Sequence, residues 1–432
     1  MEQDTIFALS SGTLPSGIAV IRISGRAVRF GLETLVGLVP PARQAVLRPI
    51  RSRNGFKIDD GIVLFFPAPA SFTGEDCAEL QVHGGRAVVA ALLAELGGLA
   101  GYRLAQAGEF TQRAFHHGKL DLTSVEGLAD LLAAETEMQR RQAIDQAGGA
   151  LARLLDDWRT QLIRARAFVE AELDFAEEGD VADHVGDRAV AAVKQIACEM
   201  EALLAGAAWG ERVRAGFDVV LIGAPNVGKS SLLNALARRE AAIVTEEPGT
   251  TRDLIEVQLD IAGQSVTLID TAGLRETSSL IEREGMARAR RRSAEADLVL
   301  LLDDGIQPVP HWTGPTPVLA IRTKSDLGDT PELAETVAVS ALSGAGLDAL
   351  REAIALALSL RMPRPPALLT RERQKQGVAT ALTALVRAGA CMEPELRSEH
   401  LRQASDALGQ VTGQIGVEDV LGFLFAEFCI GK

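Results

Sequence analysis

Residues 223–231 read GAPNVGKSS and follow the apolar run FDVVLI. Gly223 and Gly228 let the chain turn tightly enough for backbone N–H groups to face an anion, and Lys229 is placed to reach the β- and γ-phosphates of a nucleoside triphosphate. The Ser230 hydroxyl is a Mg²⁺ ligand by type, and a helix starting here adds N-terminal donors and a favourable dipole. Asn226, Val227 and Ser231 complete the loop. Asp270, Thr271, Ala272 and Gly273 follow the run VTLI, where Asp270 would hold a Mg²⁺-bound water and Gly273 would offer its N–H to the γ-phosphate. Between these motifs lies GTTRD, with Thr251 as the second Mg²⁺ ligand in a switch segment. Thr323, Lys324 and Asp326 belong to TKSD, after a further apolar run. A carboxylate at Asp326 accepts from both N1–H and the 2-amino group of guanine, a donor pair that adenine lacks. Ser340 and Ala341, in SALSG, would add backbone contacts near the base. Together the ordered motifs imply a guanine-nucleotide domain that binds GTP and Mg²⁺.

Two positions depart from the usual form of such a set. Thr323 stands where asparagine is usual; its hydroxyl still ties loops together but is shorter and donates once. Leu274 directly follows DTAG, where Ras-type hydrolases carry a water-orienting glutamine, so hydrolysis must recruit another group. Glu282, Arg252 and Arg275 are the candidates, and each also reads as a solvated charge. His116 and His117 imply no metal site, because adjacent side chains diverge and no carboxylate cluster completes a set. Cys429, in an apolar stretch, reads first as a small buried hydrophobe.

The elements that must position these residues come in three textures. From residue 1 to about 118, β-like runs such as GIAVIRI (17–23) and GIVLFF (61–66) alternate with turns and one helix-like stretch, AVVAALLAELG, predicting a mixed α/β unit. Residues 119–210 are rich in Ala, Leu, Glu and Arg, hold no proline and recur near the 3.6 period of a helix. Residues 216–358 alternate strand and helix, with FDVVLI, VTLID, DLVLLLDD, TPVLAIRT and TVAVS as strands apolar enough for a sheet buried on both faces. Helical texture returns over 362–432, so an α/β domain is predicted to be inserted into a discontinuous helical one.

Composition sets outer limits. With 432 residues, 47% of them apolar, the chain is long enough for two or three globular domains. Its formal charge of −14 argues against sequence-blind binding along a nucleic-acid backbone and leaves room for a focused contact. The four cysteines, 77, 198, 391 and 429, lack metal-ligand spacing, and neither a signal segment nor an apolar run of 18 residues is seen; a reducing cytoplasm and no membrane are expected.

DTIFALSSG at the start, IRISG (21–25), FTGEDCAELQVHGG (72–85), AGEFTQRAF (107–115), GKLDL (118–122), the nucleotide motifs and the terminal FCIGK (428–432) together resemble the tRNA modification GTPase MnmE (TrmE) family. The resemblance implies a multidomain α/β and α fold: an N-terminal mixed α/β folate-binding and dimerisation domain (1–118), a discontinuous helical domain (119–210 and 362–432), and an inserted Ras-like P-loop GTPase domain (216–358). It implies GTP hydrolysis coupled to modification of the wobble uridine at C5 in certain tRNAs, by a homodimer acting with the FAD-dependent partner MnmG (GidA) in a heterotetramer or larger assembly.

Residue by residue, the resemblance extends the GTP contacts along Thr245, Glu246, Glu247, Pro248, Gly249 and Thr250, with K⁺ held by Asn226, Thr245, Glu247 and Thr250. Glu282 becomes the water-orienting group, and Cys429 gains a role in the tRNA chemistry. Arg22, Glu79, Lys119 and Lys432 are implied to bind a tetrahydrofolate derivative in its 5-formyl or 5,10-methylene form. Ala107 stands where the family commonly has proline before GEFT. Two other functions compete. A ribosome-assembly switch would call for an RNA-binding module such as a GXXG-bearing KH unit, and an inactive scaffold would not need Lys229, Ser230, Thr251 and Asp270 together.

Overall fold

In the computed structural model, residues 4–174, 184–239, 255–270, 295–309, 312–327, 336–359 and 368–415 and the single positions 425, 428 and 431 are described. The chain divides into two units, one of residues 1–129, 146–160 and 405–432, the other of 130–145 and 161–404.

The first unit is built on β1 (Thr5–Leu9), β2 (Ser16–Ser24), α1 (Val28–Val36), β3 (Val46–Arg51), β4 (Lys57–Phe66), β5 (Cys77–Gly84), α2 (Arg86–Gly97) and β6 (Tyr102–Leu104). The strands form one sheet in the order β3-β4-β5-β2-β1-β6, antiparallel except for the β1–β6 pair. Strand alternation assigns the two faces. Ala19, Ile21 and Ile23 of β2 and Ala78, Leu80 and Val82 of β5 enter a core with Leu32 of α1 and Leu92 of α2. Arg22 and Glu79, which pair in register on β2 and β5, are thereby left on the opposite face.

Beyond the sheet come α3 (Glu109–His116) and α4 (Leu122–Ala133). Gly108 opens α3 at φ 68°, and a Cβ there would lie 2.6 Å from the Phe425 carbonyl oxygen, so a side chain is excluded twice over. Phe425 and Phe428 pack with Leu122 and Val125, and Ser10 Oγ donates to the Gly431 carbonyl at 2.8 Å. Phe425, Phe428 and Gly431 are thus fastened to the same unit as the N-terminal sheet.

The chain continues through α5 (Glu137–Ala147), α6 (Ala150–Asp174), α7 (His184–Ala205) and α8 (Ala207–Ala215). The second sheet follows: β7 (Phe217–Gly223), α9 (Lys229–Arg239), β8 (Ile255–Ile261), β9 (Gln264–Asp270), β10 (Leu298–Asp303), β11 (Val318–Arg322), β12 (Val337–Ala338) and α10 (Leu347–Ser359). Two helices close the series, α11 (Glu372–Ala390) and α12 (Pro394–Thr412). The sheet order is β12-β11-β10-β7-β9-β8, parallel throughout except for β8, which runs antiparallel to β9. Val219, Val220 and Leu221 of the central β7 are all fully buried, as a strand covered on both faces requires. On the helical side of this unit α7 packs against α11.

Candidate nucleotide-binding site

Parallel strands of an α/β sheet direct their C-terminal ends to one edge, where ligands bind beside the central strands. The phosphate loop leaves that end of β7, and its local backbone follows from its residues: Gly228 takes φ 108°, and Asn226 takes φ 59°, a left-handed conformation that asparagine tolerates better than most side chains. Lys229 is buried, and its Nζ donates to the carbonyl oxygens of Gly223 at 2.8 Å and Ala224 at 2.9 Å. Burial lowers the Lys229 pKa, against the opposing pull of the Asp270 carboxylate. Arriving phosphates would give this ammonium charged acceptors in place of two carbonyls.

Ser230 Oγ donates to Asp270 Oδ2 at 2.6 Å, so the hydroxyl at the start of α9 and the carboxylate at the end of β9 share one point. That donor set suits Mg²⁺, a hard cation that takes oxygen ligands and keeps several waters. Ser230 would hold it directly and Asp270 through a water.

Thr323 is buried; its Oγ1 donates to the Val227 carbonyl at 2.7 Å and its N–H to the Asp303 carbonyl at 2.8 Å. One hydroxyl thereby ties the TKSD turn to the phosphate loop. Lys324, at φ 56°, donates through Nζ to Asp304 Oδ2 at 2.9 Å, and this bond holds the Asp304 carboxyl below its usual range. Asp326 is exposed on a short 3-10 turn, Ser325–Leu327, which is fixed by the Ser325 N–H donating to the Val339 carbonyl. Ser340 is fully buried, its Oγ accepting from the Ser343 N–H at 3.1 Å. Beside it a cavity of about 630 Å³ is lined by Ser231, Asn234 and Arg238 of α9 and by Ala341, Leu342 and Gly344. Sequence reasoning missed Asp304; its signal was a second carboxylate directly after the apolar run of β10.

The first unit holds a second cavity, of about 280 Å³, lined by Arg22, Arg43, Phe66, Ser71, Phe72 and Glu79. Arg22 donates from Nε and Nη2 to Glu79 Oε1 at 3.2 and 3.0 Å and lies 5.5 Å from the centre of the Phe72 ring. Lys119 Nζ donates to the Pro69 carbonyl, in the loop whose next residues line this cavity. The structure therefore brings Arg22 and Glu79 together, with Lys119 close by. Phe66, Phe72 and Arg43 were not foreseen, since the loop that brings Phe72 over the sheet carries no periodic signal. His117 Nδ1 pairs with the Arg113 carbonyl of its own helix at 2.9 Å.

The segment 245–251 with Thr251, the residues Thr271, Ala272 and Gly273, and Glu282, Cys429 and Lys432 lie outside the described residues, as do Arg252, Leu274 and Arg275.

A mostly parallel sheet with one antiparallel edge strand, a phosphate loop after its central strand, a carboxylate at the end of the neighbouring strand and a TKSD turn define a Ras-like P-loop GTPase domain. A family model of the MnmE helical domain matches residues 122–429, and a model of the GTP-binding protein TrmE N-terminus matches residues 5–119. The tRNA modification GTPase MnmE of Brucella anthropi is 51% identical over 435 residues, covering 100% of this chain and 98% of that protein. That of Rhizobium johnstonii is 50% identical over 437 residues, with 100% of each covered. The solved G domain of the T. maritima FeoB iron transporter is 29% identical and covers 33% of this chain and 98% of its own, with a TM-score of 0.26. The chain belongs to the tRNA modification GTPase MnmE family.

Proposed function

We propose that this chain hydrolyses GTP to drive modification of the wobble uridine, position 34, at C5 in certain tRNAs. The product is a carboxymethylaminomethyl or aminomethyl-type group, made by a homodimer with the FAD-dependent partner MnmG in a heterotetramer or larger complex in the cytoplasm. The observation that carries this reading is the Lys229, Ser230 and Asp270 cluster in a chain half identical, end to end, to tRNA modification GTPases. Among the described residues no helix is long and apolar enough to cross a membrane.

In this reading Lys229 binds the β- and γ-phosphates, and Asp326 selects guanine. Asn226, Thr245, Glu247 and Thr250 would hold K⁺, which would supply the positive charge that a partner's arginine brings to the phosphates in other GTPases. Glu282 orients the attacking water. A carboxylate can accept the amino and ring N–H donors of a pterin, and aromatic faces suit its ring; Glu79, Phe66 and Phe72 supply both in a cavity of about 280 Å³. Lys119 and Lys432 suit the carboxylates of the tetrahydrofolate derivative, in its 5-formyl or 5,10-methylene form, and Cys429 assists the chemistry at the base or the one-carbon carrier. The proposed domains are 1–118, 119–210 with 362–432, and 216–358.

The test is nucleoside analysis of bulk tRNA from cells lacking the gene. Loss of a C5-aminomethyl-type uridine is expected, and an unchanged nucleoside profile would overturn the proposal.

A further inference from the structure

Between the guanine-reading turn and the mouth of the phosphate loop runs a strap that none of the nucleotide motifs includes. At the end of β10, Asp304 is buried, and its Oδ2 accepts from Lys324 Nζ at 2.9 Å. Its Oδ1 accepts from the N–H groups of Ile306 at 3.1 Å and Gln307 at 3.2 Å, while Asp303 Oδ1 accepts from the Gly305 N–H at 2.7 Å. These bonds set residues 304–307 as a fixed turn. From it, Gln307 Nε2 donates to the Pro225 carbonyl oxygen at 3.0 Å.

That carbonyl belongs to the peptide joining Pro225 to Asn226. Its pyrrolidine ring fixes φ of Pro225, so ψ is the soft torsion on that side, and a donor on the carbonyl restrains it. Asn226 then takes φ 59°, where a residue with a side chain sits at a cost that its surroundings must offset. Both Pro225 and Asn226 are exposed, so packing does not hold this peptide.

We infer that Gln307 is a positioning residue for GTP hydrolysis, holding the Pro225–Asn226 peptide in its left-handed arrangement, with Asp304 linking that restraint to Lys324 of the TKSD turn. Gln307 itself stays clear of the reacting atoms. The inference rests on the role proposed above for Asn226 in hydrolysis.

The experiment is a double-mutant cycle in the full chain, with Gln307→Glu and Asn226→Ala, reading kcat, KM for GTP, affinity for GDP and thermal midpoint. Glutamate keeps the length of glutamine and removes the donor. Gln307→Glu should lower kcat about fivefold, the scale of one uncharged hydrogen bond, and leave GDP affinity within about twofold. In the Asn226→Ala background it should add little, since both changes act on one peptide. A fully active Asn226→Ala contradicts the role of Asn226, and with it the inference. Impaired Asn226→Ala beside unaffected Gln307→Glu contradicts the strap alone. Additive losses, or kcat, GDP affinity and thermal midpoint falling together, also overturn it, because they mark a merely structural contact.

Discussion

At Thr323 a short hydroxyl does work usually given to an asparagine amide. It reaches the Val227 carbonyl at 2.7 Å because the phosphate loop and the TKSD turn approach closely there; a Cβ on Gly228 would lie 3.9 Å from Thr323 Cβ. Loop tethering thus needs no asparagine amide, and the proposed function gives base choice to the exposed Asp326. Asp326→Asn replaces an acceptor with a clashing donor and should weaken GTP binding by roughly 2–4 kcal/mol. A calorimetric titration checks this, and a wild-type chain binding ATP as tightly as GTP would remove the assignment. The phosphate loop and the meeting of Ser230 with Asp270 were legible in the sequence, because a phosphate and its Mg²⁺ dictate residue types at short spacings. Asp304 and Gln307 were not, since each takes its meaning from a partner far along the chain.

Among the elements, β7, β9 and β10 were legible because a strand buried on both faces must be apolar nearly throughout. The edge strand β8 was not read as one: IEVQLDI mixes polar with apolar residues, and only its antiparallel pairing with β9 places it in the sheet. β3 and β6 were hidden for the same reason. Around α3, a network of charges lies beside the apolar packing of Phe110 and Ala114. Glu109 accepts from Arg103, from Arg113 and from the Gln106 N–H, and Arg113 also reaches Glu75 at 2.9 Å. Burial raises the Glu109 pKa, but these hydrogen bonds outweigh it and leave it below its ordinary value of 4.5. A depressed carboxylate contributes stability that is present above about pH 4.5 and is lost as pH falls through its folded value. Glu109→Gln should therefore cost about 1–2 kcal/mol at neutral pH, by weakening the charge-assisted bonds from Arg103 and Arg113, which keep Asp4 and Glu75 as partners, and clearly less near pH 3. Thermal melts of both proteins at the two pH values measure this; an equal gap at each would contradict it.

For the whole molecule, the texture of the sequence showed helices on both sides of the inserted sheet, but only the structure shows α7 against α11. Helical periodicity marks which face is apolar and leaves open what covers it. The formal charge of −14 means that tRNA, a polyanion, gains nothing from the protein's mean field and must be met by a local surface or a partner. In the proposed function, hydrolysis at this site drives the modification. It is tested most directly by supplying cells that lack the gene with either the wild-type chain or Lys229→Ala, at matched expression, and measuring C5-substituted uridine at position 34 by mass spectrometry of purified tRNA. The wild-type chain should restore the nucleoside and Lys229→Ala should leave it missing; full restoration by Lys229→Ala would contradict the account.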